Sequence, residues 1–239
     1  MNLLKEFFLE DSCSYLQNRK QKMHYKIIQN IDTKSSQDFI ERGYRRFGEM
    51  YFRPICESCN ECQSIKIDVD NYLFSKSEKR VLKKASHLQI YIQKPTLTHE
   101  HLHLFEKYHR YMHHKKGWDY NPTSANHYND SFVKGSGDFG YEVLYFEDKK
   151  LIGIDLIDIL EDGISSIYFF YDPEYLKLSL GKFSLLKQIE LAYQLKKKWI
   201  YLGYYVQECD SLSYKGDYKP YLTLEGRPDM HEIFTWKES

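Results

Sequence analysis

Apolar and polar residues alternate cleanly in IKIDV (65–69) and LQIYI (88–92), the period of two expected of strands with one buried face. HYKIIQNI (24–31) is a looser version and is also predicted as a strand. Three longer apolar stretches, YEVLYFE (141–147), LIGIDLIDI (151–159) and ISSIYFFY (164–171), are joined by DKK and LEDG, turn chemistry that predicts antiparallel neighbours. WIYLGYY (199–205) is the last strand of the set. Elsewhere the period becomes helical. Ser35–Gly43 starts on Ser and stops on Gly, and SEKRVLKKAS (77–86) is short and basic. Thr98 opens a long helix that carries Leu102, Phe105 and Met112 toward one side and ends near Gly117. SANHYNDSF (124–132) predicts a smaller helix. A further helix runs from Ser179 to about Lys197, with Phe183, Leu186 and Ile189 in the core.

Three antiparallel strands, a helix and one more strand are the core order of an N-acetyltransferase-like α/β (α+β) fold, a mixed, largely antiparallel sheet with flanking helices. That fold is expected over residues 71–239, packed tightly against an N-terminal, cysteine-containing α+β region over residues 1–70. The helix after the third strand usually begins with a glycine-rich turn whose amides hold a coenzyme pyrophosphate. Here that turn reads SLGKFS (179–184) and has a single glycine, Gly181, beside Ser179, which argues against coenzyme A as donor. Fold by itself supplies no function.

The chain has 239 residues, 42% apolar, and balances 34 basic against 34 acidic side chains, so any nucleic-acid contact must come from a local cluster. No apolar run approaches a membrane span, and MNLLKEFFLEDSCSYL lacks the basic and long apolar segments of a signal peptide. With five cysteines as well, the expectation is a cytoplasmic protein away from membranes, its thiols free or metal-bound.

Cys56, Cys59 and Cys62 form two overlapping C-x-x-C units in RPICESCNECQSIKI (53–67). With Cys13 as the best candidate for a fourth ligand, they would fill a tetrahedral zinc shell and leave no open position for catalysis; an iron–sulfur cluster is the lesser option. The plainer account is reduced thiols packed in a loop. HEHLHLFEKYH (99–109) contains H-E-x-x-H as His99, Glu100 and His103, with His109 at a third-ligand spacing, the pattern of a zinc metalloprotease. Glu106 stands where the extended pattern needs Gly, and the run of six His over residues 99–114, interleaved with charge, reads as a solvated face. Lys76, Lys79, Arg80, Lys83 and Lys84 line one short helix and suit either phosphates or simple solvation, which leaves a non-catalytic RNA-binding module as a further alternative.

Taken in order, CSYL (13–16), GYRRFGEMYFRPICESCNEC (43–62), SKSEKRVLKK (75–84), IYFFYDPEYLKLSLGKFSLLKQIELA (167–192) and YLGYYVQECDSLSYKGDYKPYL (201–222) resemble the aminoacyl-tRNA–protein transferases. The compact length resembles the bacterial leucyl-transferring branch. YKGDYKP (214–220) has a flavour of the arginyl branch, and Lys76 and Glu78 stand where Arg and Gln are usual. The resemblance implies leucyl-tRNA as donor, proteins that begin with Asp or Glu as acceptors, no required cofactor, and tRNA contact by the basic stripe. The α-amine has a pKa of about 7.7–8.0, so an appreciable fraction is neutral at pH 7 and positioning is the main requirement. Asp172, fixed in a turn by Pro173, is the candidate to orient or deprotonate that amine. Tyr171 and Tyr204 are candidates to line the cleft, and Arg45, Arg46 and Lys215 are candidates to read the acceptor carboxylate.

Overall fold

The computed structural model describes residues 1–238 and divides them between two sheets. Strands β1 (Asn2–Ser12), β2 (Lys20–Gln29), β3 (Arg45–Phe47) and β4 (Met50–Pro54) form a four-stranded sheet in the order β1-β2-β4-β3, with helix α1 (Thr33–Glu41) between β2 and β3. Asp32 caps α1 by accepting the Ser35 amide. Residues 2–12, read above only for targeting signals, thus form a strand. The loop 55–62 with its three cysteines then carries the chain into the second sheet.

That sheet has eight strands in the order β12-β11-β5-β10-β9-β8-β7-β6. They are β5 (Gln63–Asp68), β6 (Gln89–Gln93), β7 (Gly140–Glu147), β8 (Lys150–Ile159), β9 (Gly163–Tyr171), β10 (Trp199–Tyr205), β11 (Tyr221–Leu224) and β12 (Trp236–Glu238). Every neighbouring pair is antiparallel except β9 and β10. This is the mixed, largely antiparallel sheet that the element order predicts. The β7–β8 turn uses Asp148 and Lys149 in the left-handed region, the conformation a tight hairpin needs.

Helices α2 (Lys76–Lys84) and α5 (Leu180–Gln194) cover one face, burying Leu180, Phe183, Leu186 and Ile189 of α5 against Val143, Tyr145 and Ile157. Helix α3 (His99–Lys116), capped by Thr98 and stopped by left-handed Gly117, covers the other face with Leu104, Phe105, Tyr108 and Met112. Leu102 lies at the margin of that core rather than within it. The segment 124–132 splits into a short helix α4 (Ala125–Tyr128) and a π-helical turn (Asn129–Val133). The predicted helix at 179–197 begins one residue later and is preceded by a 3₁₀ turn, Pro173–Leu178. A short helix α6 (Asp210–Ser213) follows β10.

Strands β9 and β10 pair only from Gly163/Trp199 to Ser165/Tyr201, although both run on for several residues. Beyond that point their carbonyls need other partners, and what satisfies them defines the site.

Candidate functional site

Arg45 enters where the β9–β10 pairing stops. Its guanidinium donates to Ser166 O (3.1 Å) and Ile167 O (2.7 Å) on β9 and reaches Leu202 O (3.4 Å) on β10. Lys215, in the 3₁₀ turn after α6, donates from Nζ to Leu202 O (2.8 Å) and Tyr204 O (2.7 Å). Burial, followed by the repulsion of Arg45, holds the Lys215 amine well below its usual range. Neither side chain belongs to a salt bridge among the described residues, and both spend their donors on backbone carbonyls of the diverging strands. A bulge in β10 makes room for this. Gly203 has φ +73°, and a Cβ there would lie 2.1 Å from Arg45 Nη1. Only glycine meets both demands.

The remaining predicted carboxylate reader, Arg46, and the two predicted cleft tyrosines are committed elsewhere. Arg46 is buried and bidentate to Asp158, Nη2–Oδ1 2.5 Å and Nε–Oδ2 2.9 Å, with a third bond to Gly48 O. Tyr204 is buried and its hydroxyl donates to Gly43 O (3.2 Å) and Phe52 O (3.0 Å), tying β10 to the N-terminal sheet. Tyr171 stacks on Phe169 and packs beside Tyr108.

Asp172 caps the 3₁₀ turn by accepting the Glu174 amide (3.0 Å) and is 1% exposed. Lys107 of α3 and Lys150 of β8 close on its two oxygens at 2.7 and 2.9 Å. Burial alone would raise this carboxyl, but the hydrogen bonds from Lys107, the Glu174 amide and Lys150 outweigh it and hold the carboxyl below its usual range. Its bond to Lys107 places Asp172 on the α3 side of the sheet. Ser179 adopts the left-handed conformation at the joint between the turn and α5, with no side-chain cap. A Cβ on Gly181 would meet nothing closer than 4.0 Å, so packing does not require glycine there.

A buried polar cluster on the α5 side was not foreseen. Asp155, 0% exposed, accepts from Gln188 Nε2 (2.7 Å) and bonds Ser184 Oγ, while Gln188 also donates to Ser166 Oγ (3.2 Å). Burial pushes the Asp155 carboxyl up to about 7, moderated by Ser184 and Gln188. The cluster adjoins the cation pair, because Ser166 gives its hydroxyl to Gln188 and its carbonyl to Arg45, and the Tyr214 hydroxyl senses both Arg45 and Asp155. Its signal in the sequence was a charged residue inside the apolar run LIGIDLIDI, with Ser184 and Gln188 one helical turn apart on the buried stripe of α5.

The basic stripe is presented outward. Lys76, Lys79, Arg80, Lys83 and Lys84 are all exposed, and none joins a salt bridge among the described residues. Glu78, which interrupts them in sequence, turns inward, completing a capping box with Ser75 and accepting from the Tyr72 hydroxyl (2.9 Å). Its charge therefore leaves the stripe intact.

Cys13, Cys56, Cys59 and Cys62 share one neighbourhood. Burial pushes the Cys62 thiol up to about 12, and Cys13, Cys56 and Cys59 all add to that rise, while Arg227 opposes it. Arg19 donates to Cys59 Sγ (3.3 Å), and Arg227 ties the carbonyls of Cys56 and Cys59. The donor chemistry suits a tetrahedral thiolate shell, but the arrangement is open: among the described residues no group of three or more Cys, His, Asp or Glu is gathered to hold a metal ion. The same holds for the H-E-x-x-H segment. His99, Glu100 and His103 are exposed, and His109 donates from Nδ1 to Phe105 O (2.8 Å) and bonds Tyr168 Oη through Nε2 (2.9 Å) within an aromatic cluster. No zinc-protease centre is built there.

Two family models match in order, the N terminus of arginine-tRNA-protein transferase over residues 11–80 and its C terminus over residues 100–225. The chain belongs to that family. Arg45 and the first half of the basic helix, Lys76, Lys79 and Arg80, fall in the first match, while Asp155, Asp172 and Lys215 fall in the second. Curated relatives include an aspartate/glutamate leucyltransferase of Campylobacter jejuni, 47% identical over 224 residues and 94% of each chain. Another of the same name, from Helicobacter hepaticus, is 43% identical over 235 residues and 98% of each chain. Among solved structures, FemX aligns with a TM-score of 0.47 and 6% identity over 83% of this chain and 79% of that one. No helix among the described residues of this family member is long and apolar enough to cross a membrane.

Proposed function

We propose that this protein moves leucine from leucyl-tRNA to the α-amine of proteins that begin with Asp or Glu, marking them for degradation by the N-end rule pathway in the cytoplasm. The observation that carries the proposal is the convergence of Arg45 and Lys215, neither in a salt bridge among the described residues, on the opening between β9 and β10. A side-chain carboxylate of the acceptor supplies the missing charge. The relatives' printed name, aspartate/glutamate leucyltransferase, agrees with such a site.

The reaction is aminolysis of an ester. The neutral acceptor amine attacks the leucyl carbonyl, the bond to the ribose oxygen breaks, and the proton lost by nitrogen ends on that oxygen. The ester is already activated, so no cofactor enters. Holding amine and ester in contact accounts for most of the acceleration. Asp172, kept ionised by two lysines, fits a group that orients an amine better than one that takes its proton. Asp172→Asn preserves the cap and is expected to fold with a melting temperature lowered by a few degrees, from the lost pairing with Lys107 and Lys150, while lowering transfer by roughly tenfold. Normal turnover in that variant would remove Asp172 from the mechanism.

The stripe on α2 supplies the tRNA contact in this proposal. Changing Lys79 and Arg80 to Gln should weaken Leu-tRNA binding and reduce the slope of log affinity against log salt by about two. A slope equal to wild type would assign the stripe to solvation. The four thiols receive a structural metal, zinc or an iron–sulfur cluster, with no part in transfer. Cys56→Ser is then expected to lose bound metal and melt at lower temperature, read by elemental analysis and calorimetry.

Leu-tRNA and Arg-tRNA, each offered with peptides beginning in Asp, Glu, Lys or Arg, decide donor and acceptor together. Transfer of leucine to Asp and Glu termini alone is expected. Arginine transfer would move the protein to the arginyl activity, and transfer from neither would refute the proposal.

A further inference from the structure

One cavity has no role in the reaction as described so far. It lies between β6, β7 and α5, encloses about 180 Å³, and is walled by Ile90, Ile92, Val143 and Leu191, with Tyr145 and Gln188 also facing it. It opens into a wider cleft of about 530 Å³ between α5 and α2, since both are bounded by Ile90, Lys187 and Glu190. Lys83 of the basic stripe borders that cleft. A ligand with phosphates on α2 therefore has an open path to the pocket.

Its polar side is unsatisfied in one particular way. Gln188 is 2% exposed, and its amide nitrogen is fixed by Asp155 Oδ2 and Ser166 Oγ. That leaves Gln188 Oε1 with no donor, and Asp155 Oδ1 beside it has none either. A buried acceptor without a donor is costly, because it has lost its water without gaining a partner. A ligand with N–H donors next to aliphatic carbon answers both the walls and the acceptors.

We propose that this pocket holds the leucyl group of the charged tRNA. The isobutyl side chain lies against Ile90, Ile92, Val143 and Leu191, and the α-ammonium donates to Gln188 Oε1. The assignment rests on the transfer function proposed above. A cavity of ~150 Å³ with aliphatic walls admits benzene, so four carbons of a leucine side chain have room. Lys187, Glu190 and Gln194 also line the pocket, so the preference for leucine over arginine rests on its four aliphatic walls. Ser166 links this pocket to the acceptor cations, its hydroxyl bonded to Gln188 and its carbonyl to Arg45, which brings ester and amine to the same stretch of β9. Acylation of the leucyl nitrogen removes the positive charge, leaves a single N–H donor and adds bulk at that atom, so an N-blocked leucine should be refused.

The test uses the intact enzyme, one tRNA charged with leucine, alanine, arginine or N-acetylleucine, and a peptide beginning with Asp. Wild type should favour leucine over each of the others by at least about tenfold in kcat/KM. Leu191→Trp fills the pocket and should reverse the order of leucine and alanine; Ile92→Trp, on the exposed edge strand opposite, gives the same reading if the first variant does not fold. Gln188→Met should narrow the gap between leucine and N-acetylleucine. An unchanged leucine preference in folded Leu191→Trp or Ile92→Trp, or equal use of N-acetylleucine by wild type, overturns the assignment while leaving transfer itself intact. No transfer by wild type from any charged tRNA overturns the function and the pocket assignment together.

Discussion

Replacing Arg45 with alanine is expected to lower kcat/KM for acceptors that begin with Asp or Glu by about 10- to 100-fold, the loss of one charge-assisted contact worth ~1.5–3 kcal/mol. The guanidinium is the half-exposed member of a cation pair that bonds only carbonyls in the free protein, so a carboxylate gains its full charge. Gly203→Ala should produce the same loss without touching the arginine. Its φ of +73° and the 2.1 Å approach of a Cβ to Nη1 force the guanidinium out of the opening. The two changes remove one interaction, so the double variant should be no worse in transfer than either alone. Additive losses in that cycle, or Gly203→Ala with normal transfer to acidic acceptors, would separate Arg45 from acceptor recognition.

The second large effect is on stability. Asp158→Ala strands the Arg46 guanidinium at a site where both partners are almost wholly buried, at 4% and 0% side-chain exposure. Breaking such a pair costs about 3–5 kcal/mol, a fall in melting temperature on the order of 10 °C for a chain of this size. The pair joins β3 of the small sheet to β8 of the large one, so the loss should also raise protease sensitivity at the junction. A melting temperature within a degree or two of wild type would show that the pair contributes nothing net. Arg46 thus differs in kind from its sequence neighbour Arg45: one braces the two sheets, and the other faces the opening between strands.

Much of this was legible in the chain. Alternation over 65–69 and 88–92, the Asp-Lys turn at 148–149, the Thr98 and Gly117 caps and the outward stripe of α2 are local, and local physics wrote them into adjacent residues. The family blocks were legible for the same reason, as was the reaction class they imply. Strands β3 and β4 were not, because three to five residues give too short a period and the strand that anchors them, β2, pairs with β4 from twenty or more residues away.

What only the tertiary structure decided is the division of labour among side chains that look alike in sequence. Arg45 and Arg46 are adjacent, yet consecutive residues of a strand point to opposite faces, so one meets the diverging strands and the other meets Asp158. Asp155 reads as an anomaly in an apolar run until Ser184 and Gln188 arrive on a helix thirty residues later. Hydrophobic period fixes which face is buried, but a buried polar atom is defined by the partner it finds or lacks, and those partners are distant in the chain.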